Sequence, residues 1–443
     1  MNNLNFLVDV LKESPVFKTL EKNVKPGRTV CASGLSTINK SNIIYALCRL
    51  KGVTAFCLAS DEKEAQTLCN DLSCMGLRAY VYPVRDFNFL DFQSRSHEYE
   101  HARLKVLLKL LNHECDVAIA CVDAAAQLTV PRNVLEQSVI EFEEGRELSL
   151  EKATKALTLL GYERFDAVEG SGQFSLRGGI LDFFMPDSDY PVRCEFWGDE
   201  ITDLSYFDIE TQRRFKKADK ITLSPSTEIV IEDRAALADK IEHKAKLLRS
   251  KNSAKAKEKL FSEAELIRSG AMIANADKFI NQIYDKPESL FDYLDRNTLV
   301  FASEFTAIQE RGKSMDFISN ETLMQGFEDG TLCRGFDRFA LTFNECTEFL
   351  QSHGTIVLEN FVHGSMPIKL SEIISFSTKQ LSAWGGSYKQ LKEDVDGLFT
   401  PESKGVIFAG TETTMFFIVV PDTSLNVVPL PIFSILSLLY LSK

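Results

Sequence analysis

Residues 28–41 have the sequence RTVCASGLSTINKS, and this stretch decides the fold class of the chain. An apolar run comes first, a glycine loop follows, and polar residues open an amphipathic segment, which predicts a strand, a turn and a helix start. The loop from Gly34 to Ser41 follows the phosphate-binding pattern G-x-x-x-x-G-K-[ST], except that Asn39 replaces the second glycine. We therefore expect a degenerate nucleotide loop, made of Gly34, Asn39, Lys40 and Ser41, that retains at most weak anion binding.

Hydrolysis of ATP needs more than this loop, because an acidic Mg²⁺ ligand must follow a later strand. The strand predicted over residues 116–122 is followed by Asp123-Ala124-Ala125-Ala126, which contains no paired acid. We expect no ATP hydrolysis, no bound ATP and no other cofactor. Lys40 and Ser41 are the intact parts of the loop, and they keep a weak ATPase as the alternative.

Strands and helices alternate along the chain around this loop. Apolar strands are predicted over residues 28–33, 53–59, 79–83 and 116–122, and helices over 39–50, 61–75 (capped by Asp61) and 96–112. This alternation is typical of an α/β fold, with a parallel sheet covered on both faces. A strongly helical, locally basic stretch spans 235–284, strands return at 298–302 and 355–359, and a final unit is predicted from a strand at 373–376, a helix near 388–396 and a strand at 405–409.

The pattern changes between residues 131 and 225. After a helix over 148–160, short strands alternate with glycine turns as far as about Phe207, which predicts a small, mostly antiparallel sheet. The predicted domains are 1–130, the first half of the α/β domain with the degenerate loop; 131–225, an inserted β-rich (α+β) domain; 226–365, the second half of the α/β domain with the helical segment; and 366–443, a partial small α/β domain.

Composition narrows the classes of function. The chain has 443 residues and a net charge of −13, whereas a protein that mainly grips nucleic acid concentrates Lys and Arg. The ten cysteines form no CxxC pair, which indicates reduced thiols in a cytoplasmic protein and neither a disulfide framework nor a zinc site. An apolar tail from Val427 to Leu441 is interrupted by two prolines and is shorter than a membrane-spanning helix. A membrane anchor is the alternative for this tail, but we expect a truncated or frameshifted end.

Two histidines form a second candidate site. The stretch His97-Glu98-Tyr99-Glu100-His101 matches the zinc-hydrolase pattern H-E-x-x-H, which places two imidazoles on one face of a helix. A third protein ligand is needed, and the other histidines bring no supporting motif. An exposed, charged helix start explains the segment without a metal, so we expect none.

Short strands of the predicted insert carry arginines and aromatic residues. They run through Gly172–Phe184 and Arg193–Ile201, and glycine turns join them. Arginine and aromatic side chains are common anchors at protein–protein interfaces. An ordinary stable sheet with surface arginines explains the same pattern, and the residues alone leave both interpretations open.

These strands resemble the UvrB-interaction-type domain shared by UvrB and the bacterial transcription-repair coupling factors, the Mfd family. The block Phe174–Asp182, the block Arg193–Ile201 and Phe207–Arg213 carry the resemblance, which extends to Ser33-Gly34-Leu35, to residues 85–104 and to residues 404–412. UvrB has an intact phosphate loop and a tyrosine-rich hairpin, and neither is found here. The coupling factors are therefore the better match.

The resemblance implies a partner and a set of contacts. It implies that the inserted domain binds UvrA and so recruits nucleotide excision repair to stalled RNA polymerase, with no catalysis by this part of the chain. The implied UvrA contacts are Arg164, Arg177 and Phe184, with Arg193, Glu195 and Phe196 supporting the same sheet. The family's polymerase-binding and DNA-translocating domains have no counterpart here, and the pattern ends near residue 412, so we expect an N-terminal fragment. The alternative is a UvrB-like weak ATPase that verifies DNA damage.

Overall fold

The computed structural model describes residues 5–85, 97–249, 253–270, 276–361 and 366–378, together with residues 389 and 393 and the backbone of strands 405–409 and 436–440. Its strands are β1 (Val30–Ser33), β2 (Ala55–Ala59), β3 (Ala79–Val81), β4 (Val117–Cys121), β5 (Ile140–Glu143), β6 (Glu163–Arg164), β7 (Gln173–Arg177), β8 (Ile180–Phe183), β9 (Val192–Trp197), β10 (Glu200–Phe207), β11 (Arg214–Lys217), β12 (Lys220–Leu223), β13 (Leu299–Ser303), β14 (Thr355–Glu359), β15 (Glu372–Ser375), β16 (Gly405–Ala409) and β17 (Leu436–Tyr440).

Helices connect these strands. They are α1 (Asn5–Glu13), α2 (Pro15–Asn23), α3 (Thr37–Lys51), α4 (Glu62–Cys74), α5 (Glu98–Leu111), α6 (Val122–Ala126), α7 (Arg132–Gln137), α8 (Leu150–Leu159), α9 (Arg234–Leu247), α10 (Ser253–Ser269), α11 (Ile280–Ile283), α12 (Phe305–Asp329) and α13 (Phe343–His353), with short 3-10 helices at Ala276–Phe279 and Leu290–Tyr293.

A seven-stranded parallel sheet forms the body of the protein. Its strand order is β15-β1-β14-β13-β2-β4-β3, so β13 and β14 lie between β1 and β2. Strands from before and after the insert therefore build one sheet. Every residue of β1, β2, β4 and β14 is buried, as expected for parallel strands with helices on both faces.

Local sequence explains where the elements of the body begin. Helix α4 starts at its predicted cap, because the Asp61 carboxylate accepts a hydrogen bond of 2.7 Å from the Glu64 amide. Helix α13 starts with a capping box in which Thr342 and Glu345 each bind the other's backbone amide. Apolar side chains from the two faces of the sheet form two separate clusters beneath the helices.

The insert is a six-stranded sheet in the order β11-β10-β9-β8-β7-β6, antiparallel except for the pairing of β6 with β7. Apolar residues of its inner face pack with Ala153 and Leu157 of α8. Strands β5 and β12 pair antiparallel, so the chain leaves and rejoins the body through one two-stranded ribbon. The predicted combination of a parallel sheet and an antiparallel β-rich region is confirmed.

The C-terminal prediction differs from the structure at one strand. Residues 373–376 were expected to open a separate unit, but β15 pairs in parallel with β1 and extends the body sheet. Apolar alternation predicts a strand without saying which sheet accepts it. The predicted strand at 405–409 is present as β16 and pairs with β17, inside the apolar tail. The predicted helix near 388–396 and residues 86–96 lie essentially outside the described residues.

Within the described part of the chain, no helix combines the length and the apolar character needed to cross a membrane.

The cysteines give a test of this fold. Nine of the ten are buried and Cys74 is half-buried. Burial, reinforced by the charge of Asp71, raises the pKa of the Cys74 thiol. Because the thiolate is the reactive form, even Cys74 should react slowly with thiol reagents. We expect a thiol reagent such as Ellman's reagent to modify Cys74 first in the native protein and the other cysteines only after denaturation. A Cys74→Ser variant should lose that first reaction; rapid modification of several thiols in the native protein would contradict the packing.

Candidate functional site

One face of the inserted sheet is polar, and three strands build it. Residues paired across antiparallel strands point to the same side. Asp182 of β8 pairs with Arg193 of β9, and Glu195 pairs with Ile180, the residue that is also opposite Arg177 of β7. The strand register therefore brings Arg177, Asp182, Arg193 and Glu195 onto one surface, which we call the polar face.

Asp182 is the centre of the polar face, and its side chain is only 1% exposed. Arg193 binds it in a bidentate manner, with Nε 2.7 Å from Oδ1 and Nη2 2.8 Å from Oδ2. Arg177 donates to Oδ2 from the other side at 2.7 Å. The Arg193 guanidinium also lies 4.4 Å from the centre of the Phe207 ring. Arg193 is thus locked in place, whereas the Arg177 side chain remains 49% exposed.

The other predicted contacts occupy different positions. Phe184 follows β8, is half-buried and continues the polar face by strand alternation, while Glu195 is bound there by Arg214. Arg164 is exposed in edge strand β6, where it is in register with Phe174, a residue of the inner face. Phe196 lies in the apolar cluster on the inner side of the sheet and is only 8% exposed. The alternation of side chains along β9 places Phe196 opposite Arg193 and Glu195.

Four aromatic residues of the insert are exposed without being among the predicted contacts: Phe165, Tyr190, Trp197 and Phe215. Trp197 lies at the turn between β9 and β10 and is 82% exposed, and Phe165 follows β6 and is 45% exposed. Asp182 is likewise absent from the predicted contacts. A charged residue inside the apolar run Ile180-Leu181-Asp182-Phe183 was the available signal, since such a residue needs a buried partner.

The nucleotide loop connects β1 and α3 as predicted. Lys40 is 2% exposed, and its ammonium group lies 2.5 Å from Glu304 Oε1 and donates to Ser303 Oγ at 3.0 Å. Ser41 donates to Asp71 at 2.9 Å, and Asn39 donates to Ser36 at 2.8 Å. Each polar side chain that an intact loop would turn toward phosphate and Mg²⁺ therefore has a partner inside the protein.

Carboxylates surround Lys40, and the sequence analysis did not find them. Glu304 follows β13, Glu359 ends β14, and Glu64 lies 3.8 Å from the Lys40 ammonium group. Burial, together with the nearby Glu304 charge, raises the pKa of Glu359 to about 7. The acidic Mg²⁺ ligand of an intact loop was expected directly after β4. The sheet order instead brings the ends of β13 and β14 beside the loop.

The backbone of the loop is also engaged. The amides of Gly34 and Leu35 donate to the carbonyls of Asn360 and Glu359, both at 3.1 Å. Gly34 has a φ of +80°, and a Cβ there would stand 2.1 Å from the Phe376 carbonyl oxygen, so the chain after β15 covers the loop closely. Phosphate binding by such loops uses free backbone amides.

The two histidines of the H-E-x-x-H pattern lie at the first turn of α5. Their rings stack with centroids 5.9 Å apart; His97 Nδ1 is 3.0 Å from Glu100, and His101 Nε2 is 3.2 Å from Ser226 Oγ. Among the residues that the structure describes, no group of three or more His, Cys, Asp or Glu side chains is arranged to hold a metal ion.

Comparison with known proteins finds a family match within the insert. Residues 140–229 match the family model of the UvrB interaction domain. The transcription-repair-coupling factor of Bacillus subtilis is 26% identical over 413 residues, which are 90% of this chain and 35% of that protein. The factors of Staphylococcus epidermidis RP62A (25% over 354 residues; 75% and 29%) and Staphylococcus aureus MRSA252 (22% over 421 residues; 93% and 35%) are also similar. The predicted resemblance is confirmed, and the chain spans about a third of the length of these curated relatives.

The Asp182 pair gives a stability prediction. An Asp182→Asn substitution leaves Arg193 without its bidentate acceptor in a largely buried position, and we expect it to lower the free energy of unfolding by about 2–4 kcal/mol. Urea unfolding followed by circular dichroism measures this loss. Arg177→Ala, which removes a half-exposed partner while Arg193 stays, should cost no more than about 1 kcal/mol. Equal effects of the two variants would show that Asp182 is not the centre of the face.

Proposed function

We propose that the inserted domain docks UvrA and that the chain thereby links nucleotide excision repair to stalled RNA polymerase. The observation that carries this proposal is the polar face, where a buried carboxylate holds Arg177 partly exposed inside the region that matches the UvrB interaction domain. The role at stalled polymerase comes from the similarity to transcription-repair-coupling factors.

The geometry of the polar face supports binding of a protein partner. Arg177 is oriented by Asp182 before any partner arrives, so little conformational entropy is lost when its exposed half is buried. A guanidinium in this position is suited to a carboxylate or to backbone carbonyls of the partner. Phe184 lies on the same face at the other end of β8 from the position opposite Arg177, and offers apolar area there.

Arg164 and Phe165 extend the proposed contact to the edge of the sheet. Both side chains are exposed, and Arg164 forms no ion pair with any of the residues that the structure describes. An arginine without an internal partner gives up no intramolecular bond on binding. Arg193, Glu195 and Phe196 have a supporting role in the proposal. Arg193 and Glu195 form ion pairs within the polar face, and Phe196 packs in the apolar cluster beneath it.

The proposal gives this part of the chain no catalytic step. Two observations support the absence of catalysis from the proposal. Lys40 forms an ion pair with Glu304, and the loop amides donate hydrogen bonds to carbonyl groups of the protein. A UvrB-like weak ATPase is the rival, and Lys40 and Ser41 are the residues that favour it. To bind ATP, Lys40 would have to exchange the Glu304 carboxylate for phosphate, and the chain covering Gly34 would have to move.

Binding to UvrA tests the docking proposal. We expect the purified full chain to bind UvrA in isothermal titration calorimetry. Arg177→Ala and Arg164→Ala should each weaken binding about tenfold or more, which corresponds to an anchor residue that contributes about 1.4 kcal/mol. The matched control is Arg334→Ala, which removes an exposed arginine of the body. No binding by the folded wild-type chain, or equal weakening by all three variants, would refute this docking site.

Nucleotide addition separates the proposal from its rival. We expect millimolar ATP with Mg²⁺ to leave the thermal unfolding temperature of the wild-type chain unchanged, because a ligand that does not bind the native state cannot stabilise it. Thermal unfolding with ADP and with Mg²⁺ alone provides the controls. A concentration-dependent rise with ATP, or release of phosphate, would favour the ATPase.

A further inference from the structure

The first turn of α5 forms one of the contacts between the body and the insert. Its residues Glu100 and His101 meet the segment 224–228, where the chain returns from β12, and His101 also meets Gly172, just before β7. We call Glu100, His101, Gly172, Ser226 and Thr227 the seat. It contains Glu100 and His101, the last two residues of the H-E-x-x-H pattern, which the proposed function leaves without a role.

Glu100 fastens the returning segment. Its Oε1 accepts hydrogen bonds of 2.8 Å from Thr227 Oγ1 and from the amide of Glu228. Burial by itself would raise the pKa of Glu100, but His97, the charge of Arg85 and the Glu228 amide together lower it to about 2. Glu100 is therefore ionised throughout the neutral and mildly acidic range.

His101 fills the remaining space between α5 and the insert. Its Nε2 lies 3.2 Å from Ser226 Oγ, and the Ser226 amide binds the Leu160 carbonyl at the end of α8. A Cβ on Gly172 would stand 2.6 Å from His101 Cε1, so the ring and this part of the insert are in close contact. Gly172 in turn binds Glu163 and Phe184 through its backbone.

The charged groups near His101 come from two elements. Glu100 and His97 belong to α5, and Glu163 belongs to β6 of the insert; Ser226 on the returning segment is polar but uncharged. Burial lowers the pKa of His101, and His97 acts in the same direction, whereas Glu100, a hydrogen bond to the Ser226 backbone and Glu163 act against it. The His101 ring is half-buried, and its lowered pKa favours the neutral imidazole at neutral pH.

We propose that the seat is a proton-sensitive hinge: neutral His101 holds the insert on α5, and uptake of a proton by His101 loosens the returning segment and the β6–β7 edge. The buried contacts of Arg103 with Glu228 lie deeper and keep the insert attached while its orientation becomes variable. The hinge does not depend on UvrA binding, so it can be tested separately from the proposed function.

The direction of the effect follows from the change in proton affinity. Because the pKa of His101 is lower in the seated state, the loosened state binds the proton more strongly. The contribution of His101 to seating is complete above the ordinary histidine pKa of about 6.5 and decreases as the pH falls below it. Glu100 keeps its charge in this window, since its pKa is about 2.

Hydrogen exchange of the full chain between pH 7.5 and 5.5 tests the hinge, with rates corrected for the intrinsic pH dependence of exchange. We expect protection of peptides covering residues 161–174 and 224–228 to fall about three- to tenfold, while peptides from β2 and β4 stay protected. The His101→Gln variant should lose this pH dependence. His113→Gln, which changes an exposed histidine, should retain it. Unchanged protection in the wild type, or the same loss in His101→Gln, would overturn the hinge.

A second measurement covers the case in which His101→Gln fails to fold. The Cε1 proton of His101, identified in wild-type protein by its proximity to Gly172, is followed by NMR as the pH is lowered. We expect it to titrate below about 6.5, together with the change in the Gly172 amide signal. Titration at or above that value, or without an accompanying change at Gly172, would overturn the proposal.

Discussion

A buried ion pair between Arg103 and Glu228 fixes the inserted domain to the body. Arg103 Nε donates to Glu228 Oε1 at 2.6 Å, and neither side chain is exposed. Removing two charges from water is costly, and such a pair is tolerated only where its remaining hydrogen-bonding groups are also satisfied. Thr129 donates to Glu228, Gln127 and the Pro83 carbonyl accept from Arg103, and the ring of Tyr82 lies beneath the guanidinium. Helix α5, the segments that follow β3 and α6, and the chain returning from the insert thus depend on one another for this pairing.

Two other buried charges, those of Asp182 and Lys40, are also compensated by side chains of opposite charge, but with different consequences for the surface. Around Asp182 a buried acid is matched by two arginines, and one of them still presents half of its side chain to solvent. Around Lys40 a buried cation is matched by carboxylates and is left 2% exposed. The first arrangement offers a positive group to an external partner; the second uses its positive group within the fold. This contrast explains why the insert, rather than the nucleotide loop, carries the proposed function.

The sequence predicted local structure well and long-range pairing poorly. The strands and helices of the body follow from apolar runs and from capping residues such as Asp61, because these signals lie within a few residues of the elements they start. The assignment of β15 to the body sheet depends on β1, far away in the chain, and no local pattern contains it. Among the candidate residues, period-two alternation along β9 already separated Arg193 and Glu195 from Phe196. Glu304 could not be found in the same way, since its role depends on the order of strands in the sheet.

The position of β13 and β14 also has a consequence for how the chain acquires its structure. These central strands are separated from β1 and β2 by the whole insert and by helices α9 to α11, so the first part of the chain to be synthesised contains no continuous body sheet. The insert has mostly local pairings and its own apolar cluster, which favours early folding. Once it has formed, the ribbon of β5 and β12 brings the two flanking segments together and shortens the loop that the body must close. On this topology we expect the insert to fold before the parallel sheet, which is completed only when the strands at its centre have been synthesised.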